Sequence, residues 1–213
     1  GGDAYVDHPS FGTAVISRVL EAEGLRVAVL AQPDWHDAEA FRAMGRPRLG
    51  VFIGAGNLDS MVAHYTAAKK RRTQDLYSPG SRMGLRPDRP TIVYANRCRE
   101  AFGDVPIVVG GLEASLRRFA HYDYWDDSVR RAILFDAPAD LLVYGMGEAA
   151  TIEIAHRLKK KQSVHTMTDI PGTGYITRDP SVCKFDHITL PSFEDVRDDK
   201  RLYAEATRTE YAE

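Results

Sequence analysis

The residues able to do chemistry in this chain sit in five short stretches: "GDAYVDHPSFG", "AQPDWH", "GAGNLDS", "GGLEASLRR" and "GMGE". In the first, His8 follows Asp7, and an imidazole oriented by a carboxylate can ligate a metal or move a proton. Beside Pro9 it can equally be a loop residue that only hydrogen-bonds. Ser10 and Gly12 share that loop, Asn57 lies in the third stretch, Gly110, Gly111 and Glu113 in the fourth, and Gly147 with Glu148 in the fifth. Glycines let a ligand approach the backbone, and a following helix offers unpaired N–H groups to an anion. The plainer alternative is that a chain leaving a strand needs glycine to turn, and that Glu148 complements a helix N-terminus. All are binding candidates, and none is assigned catalysis or metal ligation. "GAGN" and "GMGE" both fall short of GxGxxG, no Walker lysine follows a glycine loop, and neither HExxH nor GxSxG occurs.

Three further groups have weaker claims. "RRFAHYDYWDDSVRR" packs His121, Asp123, Asp126 and Asp127 among aromatics. They could hold a divalent cation, or pair with Arg117, Arg118, Arg130 and Arg131 while Tyr122, Tyr124 and Trp125 fill a groove or seam. Cys98, between Arg97 and Arg99, is either a thiol of lowered pKa or a plain surface or core cysteine. The excursion "KKRRTQDLYSPGSRMGLRPDRP", about residues 69–90, gathers Lys69 to Arg72, Arg82, Arg86 and Arg89. A loop of that length in a compact domain is uncommon, and its prolines suggest an ordered segment that could bind phosphate or dock on an acidic neighbour.

These stretches need elements to hold them. Val15, Val19 and Leu20 recur at helical spacing, so a helix is expected from Ser10 or Phe11 to Glu23, stopped by Gly24. "LRVAVLAQP", "LGVFIGAG", "VPIVVGG" and "ADLLVYGMGE" read as strands buried on both faces. Helices are expected in "AEAFRAMG", "NLDSMVAHYTAAKK" (capped by Asn57 or Asp59) and "AATIEIAHRLKKK", a helix or mixed segment in "RPTIVYANRCREAFG", and a helix start in "LEASLRRF". Such alternation implies an α/β domain with a doubly wound, mainly parallel sheet in three layers, flavodoxin- or Rossmann-like, over residues 1–162. The carboxyl edge of that sheet would collect all five stretches. The first helix needs a strand before it, which is expected upstream of Gly1. Residues 163–213, with turns, two short strands and a polar final helix, read as a connector.

Composition narrows the function. A net charge of −2 and a pI near 6.4 give no general attraction to nucleic acid or anionic membranes. No apolar run approaches the roughly 18 residues of a membrane span, so a cytoplasmic protein is expected. Two cysteines are too few for a disulfide framework.

Taken together, "GDAYVDHPSFG", "AQPDW", "AGNLDSMVAHYTA", "YSPGSRMGLRPDR", "VGGLEASLRRFAHYDYWDDSVRR" and "ADLLVYGMGE" resemble the YgiQ family of bacterial radical SAM proteins, which carry a cobalamin-binding-like domain at the N-terminus. The resemblance implies an accessory domain whose carboxyl edge faces a following barrel and shapes substrate access. That barrel would hold a 4Fe-4S cluster on CxxxCxxC and use S-adenosylmethionine. This chain has no such motif, and Cys98 and Cys183 cannot replace three closely spaced thiolates, so it is expected to be inactive alone. Domains that bind cobalamin through a histidine carry DxHxxG, whereas here Asp7 directly precedes His8 and Gly12 lies four residues after it. A corrin could still rest on the glycine-bearing edge, but the expected scaffold is cobalamin-free. The expected partner is the chain's own radical SAM barrel, with a small or unknown substrate. Two rivals stand beside this reading: a stand-alone module for a nucleotide or small anion, and a protein-interaction domain.

Overall fold

Three short apolar runs lie side by side at the centre of the molecule, in a computed structural model that describes residues 1–6 and 11–212. Along the chain, α1 (Phe11–Ala22) and α2 (Glu39–Arg42) precede β1 (Val51–Gly54), and α3 (Ser60–His64) and α4 (Pro90–Phe102) lead to β2 (Ile107–Gly110). β2 runs straight into α5 (Gly111–Leu116), after which β3 (His121–Asp123) and β4 (Ser128–Arg130) form a hairpin. β5 (Leu141–Val143), α6 (Glu148–Lys159), β6 (Thr173–Gly174), α7 (Phe193–Asp198) and α8 (Lys200–Ala212) follow.

The sheet order is β1-β2-β5-β6, with the first three strands parallel and β6 antiparallel to β5. Successive side chains on a strand point to opposite faces, and the two cores divide accordingly. Ile53, Ile107, Val109 and Leu142 pack with Tyr94, Cys98 and Phe102 of α4 and Phe41 of α2. Val108, Leu141 and Val143 pack with Ala150, Ile154 and Leu158 of α6, and Phe52 joins them. The result is the α/β/α arrangement expected of strands that are apolar throughout. α1 lies beside α6 on the second face.

Several elements differ from the sequence reading. "LRVAVLAQP" forms no strand among the described residues: 25–31 carry no regular structure, and Leu30 and Gln32 bond to Gly1. α3 is also shorter than expected. Its residue after the last turn, Tyr65, is extended (φ −128°, ψ 153°), and Tyr65 and His64 both turn their side chains to Asp88. Of the two short strands expected late in the chain, β6 alone is present among the described residues. α7 and α8 pack on each other and α7 against β4.

Candidate functional site

Parallel register brings the strand exits level. Gly54 pairs with Gly110, and Val109 with Leu142, so the chain leaves β1, β2 and β5 at one edge of the sheet. Asn57, Gly111, Glu113, Gly147 and Glu148 therefore share a rim. Gly12 lies in the first turn of α1, next to Thr13, whose Oγ1 sits 3.1 Å from where a Cβ on Gly1 would be. His8 and Ser10 lie outside the described residues.

The rim is built by close backbone approach. α5 begins at Gly111 with φ +80°, a left-handed conformation that glycine adopts without strain, and this lets the chain fold back at once over the strand ends. Gly110 is tight for a different reason: a Cβ there would come 3.1 Å from the Val143 carbonyl oxygen. Gly147 precedes α6, whose first turn carries Glu148, as the helix dipole favours.

Glu113 points inward and is fully buried. One carboxylate oxygen accepts from the Ser60 N–H at 3.2 Å and the Ser60 hydroxyl at 2.7 Å, while the other accepts from the Thr91 N–H at 3.1 Å. It thus ties α5 to the starts of α3 and α4, and it accepts donors that those helix N-termini would otherwise leave orphaned. Its place in this rim is that of a positioning residue, holding the loops around it.

A second buried set, which sequence reasoning missed, lies under the first loop. Arg86 is 1% exposed and donates to Asp3 at 2.9 Å and to Asp75 at 3.0 Å. Asp3 also accepts the Asn57 N–H at 2.7 Å, linking the chain start to a rim residue. His64, fully buried, meets Asp88 at 2.7 Å through Nδ1 and stands 3.6 Å from Asp75 through Nε2. Burial pulls the Asp75 carboxyl upwards, but its bonds to His64, Arg86 and Ser78 outweigh that and hold it at about 2. For His64 burial acts downwards, and the two carboxylates outweigh it and raise it. In the sequence Arg86 stands only among the cations of the 69–90 excursion, with nothing local to show its buried partners.

The insertion is thus anchored by two of its own arginines, Arg86 and Arg89. Arg89 pairs with Asp123 at 2.7 Å and Asp126 at 2.9 Å. This corrects the pairing expected for the acidic-aromatic block. Arg130 does reach Asp126, but Arg117 pairs with Asp59, Arg118 with Glu210, and Arg131 stacks on Phe135 and Phe193. Cys98 is a core cysteine, since α4 turns it inward and burial pushes its thiol up to about 11, against the pull of Arg99.

What the rim presents outward is apolar. Leu58 follows β1, Leu112 and Leu116 lie one helical turn apart on α5, and Tyr144 and Met146 follow β5. All are exposed, Met146 at 87%. Away from these residues, Phe119, Arg131, Phe135, Phe193, Tyr203 and Glu210 line a groove of about 400 Å³ between the hairpin region and α7–α8.

Comparison with known proteins decides the family. The family described as radical SAM N-terminal matches residues 1–213, the whole chain. This chain belongs to that family. It is 56% identical over 212 residues to a UPF0313 protein of Clostridium botulinum (strain 657 / Type Ba4), covering 100% of this chain and 33% of the relative. A UPF0313 protein of Clostridium perfringens (strain SM101 / Type A) is 56% identical over 211 residues, covering 99% of the chain and 32% of the relative. The chain thus spans about a third of the length of the curated relatives it matches. No solved structure matches it.

The residues present do not fit an iron-sulfur cluster. Cys98 is sealed in the core, Cys183 stands apart from it, and among the described residues no group of three His, Cys, Asp or Glu could hold a metal ion. Nor is any helix among them long and apolar enough to cross a membrane.

Proposed function

We propose that this chain is the accessory domain of a radical SAM enzyme of the YgiQ type, and that its carboxyl rim packs against the remainder of the parent protein, walling the space where substrate enters. The exposed apolar rim carries this reading. Leu112, Leu116, Tyr144 and Met146 stand at the level strand exits of a domain that is a third of its relatives' length. Apolar side chains gathered at one edge mark a surface that meets a neighbour.

In the reading proposed here the cluster and S-adenosylmethionine belong to the rest of the parent, where the bound cluster would supply a 5'-deoxyadenosyl radical. This chain would contribute walls. Leu112, Leu116 and Met146 exclude water, and Gly111 and Glu113 fix the path of the chain beneath them. The scaffold is read as cobalamin-free, and the two unpaired thiols, Cys98 and Cys183, support a reducing, cytoplasmic setting.

The test is anaerobic reconstitution of the full-length parent, followed by its visible spectrum and reductive cleavage of S-adenosylmethionine. The parent should bind a cluster and cleave the cofactor. A parent that assembles no cluster, or one that retains hydroxocobalamin through desalting, would contradict the corresponding part of the reading.

A further inference from the structure

Residues 66–87 of the insertion present charge of one sign. Lys69, Lys70, Arg71, Arg72 and Arg82 are exposed, while the one carboxylate in this stretch, Asp75, is 1% exposed and engaged by Arg86, Ser78 and His64. The chain's net charge of −2 averages this face away, but a ligand meets the local field and not the sum.

The basic turn is held in place. Tyr65 and Arg71 form an antiparallel bridge, and between them the Thr66 and Lys69 N–H groups donate to the carbonyls of Lys70 and Thr66, each at 2.9 Å. Its tip docks on the β3–β4 hairpin. The Tyr124 hydroxyl donates to the Ala67 carbonyl at 2.6 Å, and Lys69 Nζ donates to the Trp125 carbonyl at 3.3 Å while standing 4.8 Å from the Tyr124 ring centroid. The Tyr65 and Trp125 rings lie 5.4 Å apart, so the cations adjoin three aromatic rings, with Tyr124 exposed and Tyr65 and Trp125 half-buried. Lys70, Arg71 and Arg82 remain to bind. Their side chains form no salt bridge or hydrogen bond among the described residues. Arg71 reaches along the insertion to within 3.8 Å of where a Cβ on Gly84 would stand, beside the turn that carries Arg82. The carboxylates nearby are engaged: Asp123 and Asp126 by Arg89, Asp126 also by Arg130, Asp127 by the Tyr122 hydroxyl, and Asp88 by His64 and Tyr65.

We infer that this face docks single-stranded nucleic acid, with Lys70, Arg71 and Arg82 on backbone phosphates and bases against Tyr124 and Trp125. Cations beside aromatic rings match a polymer that alternates phosphates with flat bases. An acidic protein fits less well, because protein interfaces are depleted in lysine at their centres, whereas here Lys69 and Lys70 stand in the middle of the patch. The turn is already ordered by its contacts with the hairpin, so binding spends little entropy in fixing it.

The deciding experiment is fluorescence anisotropy on the full-length parent with a labelled single-stranded oligonucleotide of mixed sequence, about 12 nucleotides long, titrated at several salt concentrations. The combined variant Lys70→Ala, Arg71→Ala, Arg82→Ala should bind at least about tenfold more weakly, and its log–log salt slope should be shallower by about 2, the share of three phosphate contacts on a single strand. A matched variant, Arg26→Ala, Arg48→Ala, Arg178→Ala, removes three exposed arginines elsewhere and should leave affinity and slope unchanged. All six positions are exposed, so both variants should fold as the parent does. Emission of Trp125, taken as the difference from Trp125→Phe, should be quenched on binding. A parent that does not bind, a first variant that binds as well as the parent, equal losses in the two variants, or an unquenched Trp125 overturns the proposal. Displacement of the oligonucleotide by poly-L-glutamate as effectively as by unlabelled oligonucleotide would assign the face to an acidic protein, and overturns it too.

Discussion

The Arg86 guanidinium donates to Asp3 at 2.9 Å across 83 residues of sequence, and this one bond joins the start of the chain to the far end of the insertion. Around it a loop that reads as an interruption becomes part of the frame. Removing one partner of a buried ion pair leaves the other charged and desolvated, a cost of about 3–5 kcal/mol. Arg86→Met should therefore lose about that much in urea unfolding, and Arg86→Lys less. A loss below about 1 kcal/mol, typical of exposed pairs, would contradict the burial described.

The His64 cluster gives stability a pH window. Asp75 is held at about 2 rather than 3.8, so its contribution is present above its ordinary value and lost as the pH falls towards about 2. His64 is raised above 6.5, so its contribution is full below that value and is lost as the pH rises through the raised one. The urea midpoint should peak between about pH 4 and 6.5 and decline on both sides. His64→Gln should flatten the alkaline limb and also weaken the acid limb, because the imidazole helps hold the Asp75 and Asp88 carboxyls down. An alkaline limb of unchanged slope in that variant would exclude His64 as its source.

Glu113 and Leu116 lie on the same short helix with opposite fates. Glu113→Ala leaves buried donors of Ser60 and Thr91 unpaired, at about 1–3 kcal/mol each. Leu116→Ser, at an exposed position, should stay within about 0.5 kcal/mol by thermal unfolding of the same preparation. Equal costs would show that α5 does not sit as described.

Two glycines separate crowding from conformation. A Cβ on Gly2 would fall 1.9 Å from the Ala55 carbonyl oxygen, whereas Gly24 has open space but φ +73°. Gly24→Ala should cost about 1 kcal/mol, the price of a left-handed alanine. Gly2→Ala must displace β1's exit and should cost clearly more in the same assay.

Cys98 should be inert in the native protein. Its thiol, pushed up to about 11 and buried, should resist iodoacetamide at pH 8 until denaturant is added, while the half-buried Cys183 reacts first. Peptide mapping of alkylated protein checks the order.

The strands and most helices were readable because their apolar runs and capping residues are local: "VFIG", "IVVG" and "LLV" are strands for the reasons their residues suggest. The level rim followed from parallel alternation alone. Other features depend on distant partners. "LRVAVLAQP" has strand composition but enters no ladder among the described residues, and at the end of α3 the His64 imidazole is held by Asp88, 24 residues on. Arg86 and Arg89 looked like free cations, since nothing local shows that Asp3, Asp75 and Asp123 fold over them. Glu113 was found as a rim residue, but its inward turn follows from Ser60 and Thr91, which no spacing rule connects to it.

The most direct test of the account is methionine oxidation in the full-length parent, read by mass spectrometry with internal standards. Met44 is 63% exposed and Met167 fully buried in this domain, and Met146, at 87%, lies on the rim. If the rim packs against the rest of the protein, Met146 should oxidise as slowly as Met167. Oxidation at or above the rate of Met44 would mean the rim faces solvent, and would contradict the account.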